Sequence, residues 1–543
     1  MLKLAHGLAF EDLYRREGLV RLDRHFIDYL GTADAALRDR LAAARSAAEA
    51  LTPKDESALI LALAPHLERF MSQLFGIADE VLALARRHDE SAPLYAVKRQ
   101  FVQRRAATKI KPDEAQALDG PTLERELRRA FGGRFDELTY AQHVTRWLAQ
   151  EENHHRELDL ALRYAAWALH TDEGREHVRT GVLFKAPGKT DPHHLLAHAE
   201  QFDLHGAPAF RIKPDHLRRR EGFKLTDPGT SLVGALDQAN YCIWCHTQGK
   251  DSCSKGLKEK PPANAPDRTV YKKSAFGVTL AGCPLDEKIS EFHTAKTQGL
   301  AIAALAIIAV DNPMVAATGH RICNDCMKAC IYQKQAPVDI PQVETRTLKD
   351  VLLLPWGFEI YSLLTRWNPL NVRRPLPLAR TGRRVLVVGM GPAGFSLAHQ
   401  LMNDGHTVVG IDGLKIEPLP AGLAGVNADG SRTAFAPVRD AMSLYESLDE
   451  RTMAGFGGVA EYGITVRWDK NFLKLIRLLL QRRSRFALFG GVRFGGTITL
   501  DQAFDLGFDH VALALGAGKP TILDLPNGLA PGVRAASDFL MAL

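Results

Sequence analysis

The chain has 543 residues, 46% hydrophobic and 24% charged, with 69 basic against 63 acidic side chains and a formal net charge of +6. That length predicts about three domains able to bury real cores, and so mild a basic excess gives no reason to expect a nucleic-acid partner. Arg218-Arg219-Arg220 and Arg482-Arg483 read as solvated faces. Glu11, Asp12 and Arg15 arrive too early for a signal-peptide core. The longest apolar run, Gly299 to Val310, ends at Asp311-Asn312-Pro313 and is too short to span a bilayer. It reads as a buried helix, and a cytoplasmic chain without a membrane span is expected.

Residues 1–200 read as helix after helix, a domain of no legible task. Leu37, Leu41, Ala44, Ala48 and Leu51 recur at spacings of three and four, as do Leu59, Leu63, Leu67 and Phe70 in the next stretch. Thr52-Pro53 and Asp119-Gly120-Pro121 mark breaks between helices. Glu151-Glu152-Asn153-His154-His155 reads as a solvated helical face, since no second ligand group with suitable spacing accompanies it.

Residues 201–350 hold all seven cysteines, confined to positions 242–330. They run Cys242-Ile-Trp-Cys245, Cys253, Cys283-Pro284, Cys323-Asn-Asp-Cys326 and Cys330. Thiolate ligands two to four residues apart can reach one metal centre from a single turn of chain, and bacterial ferredoxin runs place a Cys-Pro step beside such a centre. The reading is an iron–sulfur module. An odd count and no secretory segment speak against a disulfide framework. A zinc site on Cys242, Cys245, Cys323 and Cys326 would leave three cysteines without a role. Cys242-Ile-Trp-Cys245-His246 also matches the haem-attachment pattern, which normally goes with export. Two four-iron clusters need eight ligands, so seven cysteines imply one ligand of another kind, or one cluster short of a ligand. The lysine- and proline-rich Ser254 to Thr279 reads as a surface excursion. Residues 351–380 follow as an apolar and aromatic connector.

From residue 381 the pattern changes. Arg384 to Val388 is a short apolar strand of the kind buried in a parallel sheet, and it runs into Gly389-Met390-Gly391-Pro392-Ala393-Gly394 and a helical Phe395 to Asn403. A second strand, Thr407 to Ile411, ends at Asp412. This is the dinucleotide fingerprint in its context of strand, turn, helix and strand. Gly389 permits the tight turn, Gly391 lets backbone approach a pyrophosphate, and Gly394 allows close helix–strand packing. The helix N-terminus offers N–H groups to phosphate, and Asp412 would accept hydrogen bonds from ribose hydroxyls. The motif alone does not separate FAD from NAD(P). Phe508 to Gly518 is a further buried strand ending in small residues.

Residues from about 236 to 543 resemble the small subunit of NADPH-dependent glutamate synthase, and are similar to the N-terminal half of dihydropyrimidine dehydrogenase. The resemblance is carried by Gly282-Cys283-Pro284, Asn312-Pro313 leading to Thr318 through Cys323, Val385 through Gly394, Gly457 through Ile464, Gly516-Ala517, and Gly532-Val533 leading to Asp538-Phe539-Leu540. It implies FAD and two 4Fe-4S clusters. One cluster would use Cys242, Cys245, Cys253 and Cys330, the other Cys283, Cys323, Cys326 and Glu344, where relatives carry Gln or Glu. FAD contacts are implied at Gly389, Gly391, Pro392, Ala393, Gly394, Asp412 and Gly458. The chain departs from the family in the longer Cys245–Cys253 spacing, in the stretch of about thirty residues between Cys253 and Cys283, and in reaching Leu543 without the NAD(P)H-binding part.

The expected architecture is multidomain: an α-helical N-terminal domain (1–200), an α-helical iron–sulfur domain (201–350), a connector (351–380) and an incomplete α/β Rossmann-like FAD-binding domain (381–543). The expected function is an FAD and iron–sulfur oxidoreductase, or its electron-transfer half, passing electrons from NAD(P)H to an electron-acceptor protein or subunit. NAD(P)H would bind through a missing part or a partner chain. No catalytic acid or base stands out. The alternative expectation is a non-catalytic assembly subunit, with structural zinc or iron–sulfur and a helical docking domain.

Overall fold

The structure, a computed structural model, describes residues 2–535 apart from 190, 194, 197, 218–224, 226, 320–321, 449–467 and 517–520. Arg218-Arg219-Arg220, Gly457 through Ile464 with Gly458 among them, Ala517 and Asp538-Phe539-Leu540 therefore lie outside the described residues.

The breaks read from the sequence are helix starts. Thr52 accepts the Asp55 N–H at 3.2 Å and Pro53 occupies the first helical position, so Pro53–Phe75 begins with a cap and a preset backbone angle. Asp119 caps Gly120–Ala130 in the same way through the Thr122 N–H at 3.1 Å. Leu59, Leu63, Leu67 and Phe70, spaced to share one face, are all buried.

The apolar core divides near residue 90. Side chains from Leu8 to Leu84 share one continuous core with the helices Ile289–Thr297, Ala301–Asp311, Ile340–Leu352, Gly357–Leu364 and Asn471–Gln481. Leu94 to Phe184 pack around a separate centre that includes Tyr140, Tyr164 and Trp167. The apolar run of the sequence is the helix Ala301–Asp311, buried on every side from Ala301 to Ala309. Among the described residues no helix is long and apolar enough to cross a membrane.

A four-stranded parallel sheet closes the described fold. The chain first forms two antiparallel pairs, β1 (Ala199–Leu204) with β2 (Ala207–Ile212) and β3 (Lys258–Glu259) with β4 (Val270–Tyr271), the latter within the largely exposed excursion. Then come β5 (Arg384–Val388), β6 (Thr407–Ile411), β7 (Phe486–Phe489) and β8 (His510–Leu513), in the order β7-β6-β5-β8. The helix Pro392–Asn403 makes the crossover from β5 to β6, which a parallel pair requires.

One expectation is corrected here. Arg482 and Arg483 are not solvated but 2% and 7% exposed. Arg482 donates to Glu359 Oε1 at 2.8 Å and to the Tyr14 hydroxyl at 3.2 Å, and Tyr14 donates to Glu359 Oε2 at 3.1 Å. Arg366 lies over the Tyr14 ring at 4.0 Å and donates to the Leu13 carbonyl. Arg483 donates to the His399 carbonyl at 3.4 Å. The network ties the first turn of the chain to the connector and to the end of the helix Asn471–Gln481. Removing one partner of such a pair strands a buried charge, at a cost of about 3–5 kcal/mol.

Candidate functional site

The helix Leu232–Tyr241 stops at Cys242, whose N–H still donates to the Gln238 carbonyl at 3.1 Å. The next turn passes through Trp244 on left-handed backbone, φ +52°, which aims the Trp244 N–H back at Cys242 Sγ at 3.4 Å. Cys245 follows at once. Asp251 accepts the Ser254 N–H and caps the single turn Ser252–Lys255 that carries Cys253. Cys330 arrives from the far end of the segment and accepts a hydrogen bond from the Cys253 thiol. That bond, more than burial, holds Cys253 well above the ordinary thiol range and lowers Cys330 to about 7. Burial pushes Cys242 up to about 12, with Cys245 and Cys330 adding to it, and Cys245 up to about 11, with Asp251 and then Cys330 adding to it. Main-chain N–H groups oppose this, from Trp244 onto Cys242, from Ser252 onto Cys245, and from Tyr332 and Val338 onto Cys330.

Cys283, Cys323, Cys326 and Glu344 form a second group. Cys283 is placed by a close backbone crossing, in which its N–H donates to the Cys253 carbonyl at 2.7 Å. Gly282 makes the crossing possible: at φ +86°, an added Cβ would meet Gly256 N at 2.5 Å and the Ser254 carbonyl at 2.7 Å. Burial pushes Cys283 up to about 12, with Glu287 and Glu344 adding to it. Cys326 is raised well above the ordinary thiol range by burial, then by Glu344, Glu287, Cys283 and Cys323. Cys323 is exposed.

Glu344 lies on the helix Ile340–Leu352, 5% exposed, and Oε1 accepts from Asn312 Nδ2 at 2.7 Å and Thr318 Oγ1 at 2.9 Å. Burial raises its carboxyl to about 7 against those two bonds. The Asn312-Pro313 and Thr318 positions of the sequence thus meet on one carboxylate oxygen.

Glu287 is a fifth side chain of this surround, one that the sequence reading did not single out. It is 4% exposed, its Oε1 has no hydrogen-bond partner, and burial, then Glu344, Asp311 and Cys323, hold it well above the usual carboxylate range. Its one signal in the sequence is its place four residues after Cys283.

Cys242 and Cys245 therefore keep company with Cys253 and Cys330, and Cys323 and Cys326 with Cys283 and Glu344. Among the described residues no three His, Cys, Asp or Glu side chains stand close enough to hold a single metal ion. Glu151 to Asn153 form an exposed turn with Arg105 paired to Glu151 at 2.8 Å, and His155 opens the following helix.

The glycine turn lies at the end of β5. A Cβ on Gly389, φ +94°, would meet the Ala514 carbonyl just past β8 at 2.4 Å, and one on Gly394 would meet the Gly389 carbonyl at 1.8 Å. Around Gly391 nothing stands within 4 Å of that position. Gly391 is the N-cap of Pro392–Asn403, Pro392 its first residue and Ala393 its second. Asp412 accepts the Met390 N–H through Oδ2 and the Leu414 N–H through Oδ1, both at 2.9 Å. It braces the turn from β6, a role the sequence reading did not give it, and an ionised carboxylate retains capacity for further donors.

A family model described as the RP005 N-terminal alpha-helical domain matches residues 4–76, the segment that ends with the helix Pro53–Phe75. The uncharacterized protein RP005 of Rickettsia prowazekii is 31% identical over 310 residues, covering 55% of this chain and 100% of that protein. The uncharacterized protein RP006 of the same organism is 56% identical over 230 residues, covering 42% of this chain and 31% of that protein. The glutamate synthase [NADPH] small chain of Mycobacterium tuberculosis is 28% identical over 262 residues, covering 48% of this chain and 42% of that protein. The chain thus spans less than half the length of RP006 and of the glutamate synthase small chain.

Proposed function

This chain belongs to the family of the Rickettsia prowazekii protein RP005, and we propose that it is an oxidoreductase of the glutamate synthase small-chain kind, with two 4Fe-4S clusters and FAD. The observation that carries the reading is the sorting of seven cysteines into two groups, the second completed by a buried carboxylate. The donor set fits. Five of the seven thiols are buried, most of the seven are held neutral until a metal ionises them, and backbone N–H groups are aimed at several of the sulfurs.

Cys242, Cys245, Cys253 and Cys330 would hold one cluster; Cys283, Cys323, Cys326 and Glu344 the other. Asn312 and Thr318 hold Oε1 of Glu344 and would orient its carboxylate for ligation. The order β7-β6-β5-β8 is that of the first four strands of a dinucleotide-binding sheet, and supports a Rossmann-like FAD domain. There the open space at Gly391 and the N-terminus of Pro392–Asn403 would receive the pyrophosphate, with Asp412 holding the turn and facing the ribose. When bound, FAD exchanges two electrons at once or singly while each cluster carries one at a time. NAD(P)H would bind to a further domain or a partner chain, and electrons would leave to an acceptor protein.

Metal, sulfide and flavin analysis of anaerobically purified protein tests this. The expected result is about eight irons and eight sulfides per chain, together with flavin. Glu344→Ala should abolish the second cluster's signal and spare the first. Zinc without sulfide, or no metal at all, would refute the assignment.

A further inference from the structure

A cleft of about 820 Å³ opens between the helices after residue 94 and the cysteine segment. Its walls carry Lys98, Arg99, Arg104 and Lys185 against one acid, Asp237. Lys98 and Asp237 pair at 2.6 Å, which leaves the other three cations in excess. Arg99 donates to the Asn240 carbonyl and Lys185 to the Arg179 carbonyl at 2.7 Å, and of the two Lys185 also feels the carboxyls of Glu137 and Asp237. The Arg104 guanidinium has no hydrogen-bond or ion-pair partner among the described residues.

Two further observations mark this cleft. The stretch Lys98–Ala106 is π-helical, with the Ala107 N–H bonded to the Val102 carbonyl five residues back. Such stretches are rare and recur at functional sites because the wider turn costs stability that packing alone seldom repays. Tyr241 and Tyr332, which also line the cleft, stack at 4.5 Å with their planes 7° apart. Beside them is Trp244, on left-handed backbone, with a buried indole N–H that has no partner.

We infer that this cleft binds a planar organic anion, an aromatic ring system bearing a carboxylate, sulfonate or phosphate group. The acid group would lie toward Arg99 and Arg104, and the ring against Tyr332 and Trp244, where aromatic stacking is on offer. The volume is that of a small-molecule site, for which about 300–1,000 Å³ is usual. A nucleic acid would need a basic surface extending well beyond the cleft. Cys242 lines the same cleft, so the ring would stand against the first cysteine group. The inference does not depend on which metal that group holds.

The test is calorimetric titration of the full chain at low salt with 2-naphthalenesulfonate, using sulfate and 2-naphthol as half-probes. One site per chain is expected, binding at least tenfold tighter than either half-probe and weakening as salt is added. The double variant Arg99→Glu with Arg104→Glu, both exposed positions, should weaken the sulfonate at least tenfold. Tyr332→Leu should weaken it severalfold and leave sulfate unchanged, which keeps the proposal open to refutation where the charge variant fails to fold. A sulfonate that binds no better than sulfate, or that is indifferent to both variants, would overturn it.

Discussion

The two cysteine groups lie side by side and are built from different material. The first is all thiol, and main-chain N–H groups meet three of its four sulfurs. The second has three thiols, and the groups that press on Cys326 are led by two buried carboxyls, Glu344 and Glu287. Glu287 in turn feels Asp311, and Lys288 is the cation that offsets it, paired to Asp311 at 3.0 Å. Hydrogen bonds to sulfur are one of the levers that set a cluster's potential. On that ground the second centre should be the harder to reduce, and a redox titration followed by electron paramagnetic resonance should show it lower in potential.

The sharpest way to separate the two is to delete one at a time. Cys253→Ser should leave only the second centre and Cys326→Ser only the first, each dropping iron from about eight to about four per chain. Loss of all iron in either variant would mean that the groups assemble as one.

A smaller effect should follow from the support beneath the second group. Asn312 follows the helix Ala301–Asp311, and at that helix's N-terminus Glu68 Oε2 accepts the Ala303 N–H at 2.7 Å. Burial raises the Glu68 carboxyl from 4.5 to about 7, against three backbone N–H bonds. The native state therefore binds a proton that the unfolded state has already released. Its contribution to stability is complete below about pH 4.5 and is lost as pH rises through about 7, a swing of about 3 kcal/mol at 1.36 kcal/mol per pH unit. Melting temperatures measured across that range should fall less steeply in Glu68→Gln than in the parent chain. An unchanged slope would place the titration elsewhere.

The smallest effect concerns Asn312→Ala, which removes one of the two donors on Glu344 Oε1. It should cost about 1–3 kcal/mol and weaken occupancy of the second centre while sparing the first, read as iron retained under mild chelation.

The sequence exposes these features unevenly, for physical reasons. The glycine turn declares itself because each glycine answers a local demand: two sit where a Cβ would strike backbone, and one borders open space. The cysteines declare themselves because they are few and crowded. Counting ligands calls for one of another kind and the family resemblance points it to Glu344, whereas Glu287 stands alone in a helix-and-loop text that gives a buried carboxyl no mark. Arg482 was misread because its partner, Glu359, lies 123 positions away, and adjacent arginines carry no local sign of burial. Helical periodicity says that a face is apolar without saying which core receives it. That is why the division near residue 90 is invisible in a run of similar helices.

One hydrogen bond has a larger reach than its size. The Cys283 N–H on the Cys253 carbonyl joins a residue of one group to a residue of the other, so a bonded path leads from one sulfur through Cβ, Cα and carbonyl, across the single N–H···O contact, to the other sulfur. Under the proposed ligation that path is a tunnelling bridge between centres, and Gly282, by admitting the crossing, sets its length. A side chain at 282 would then slow the passage of charge between two centres whose own ligands were untouched.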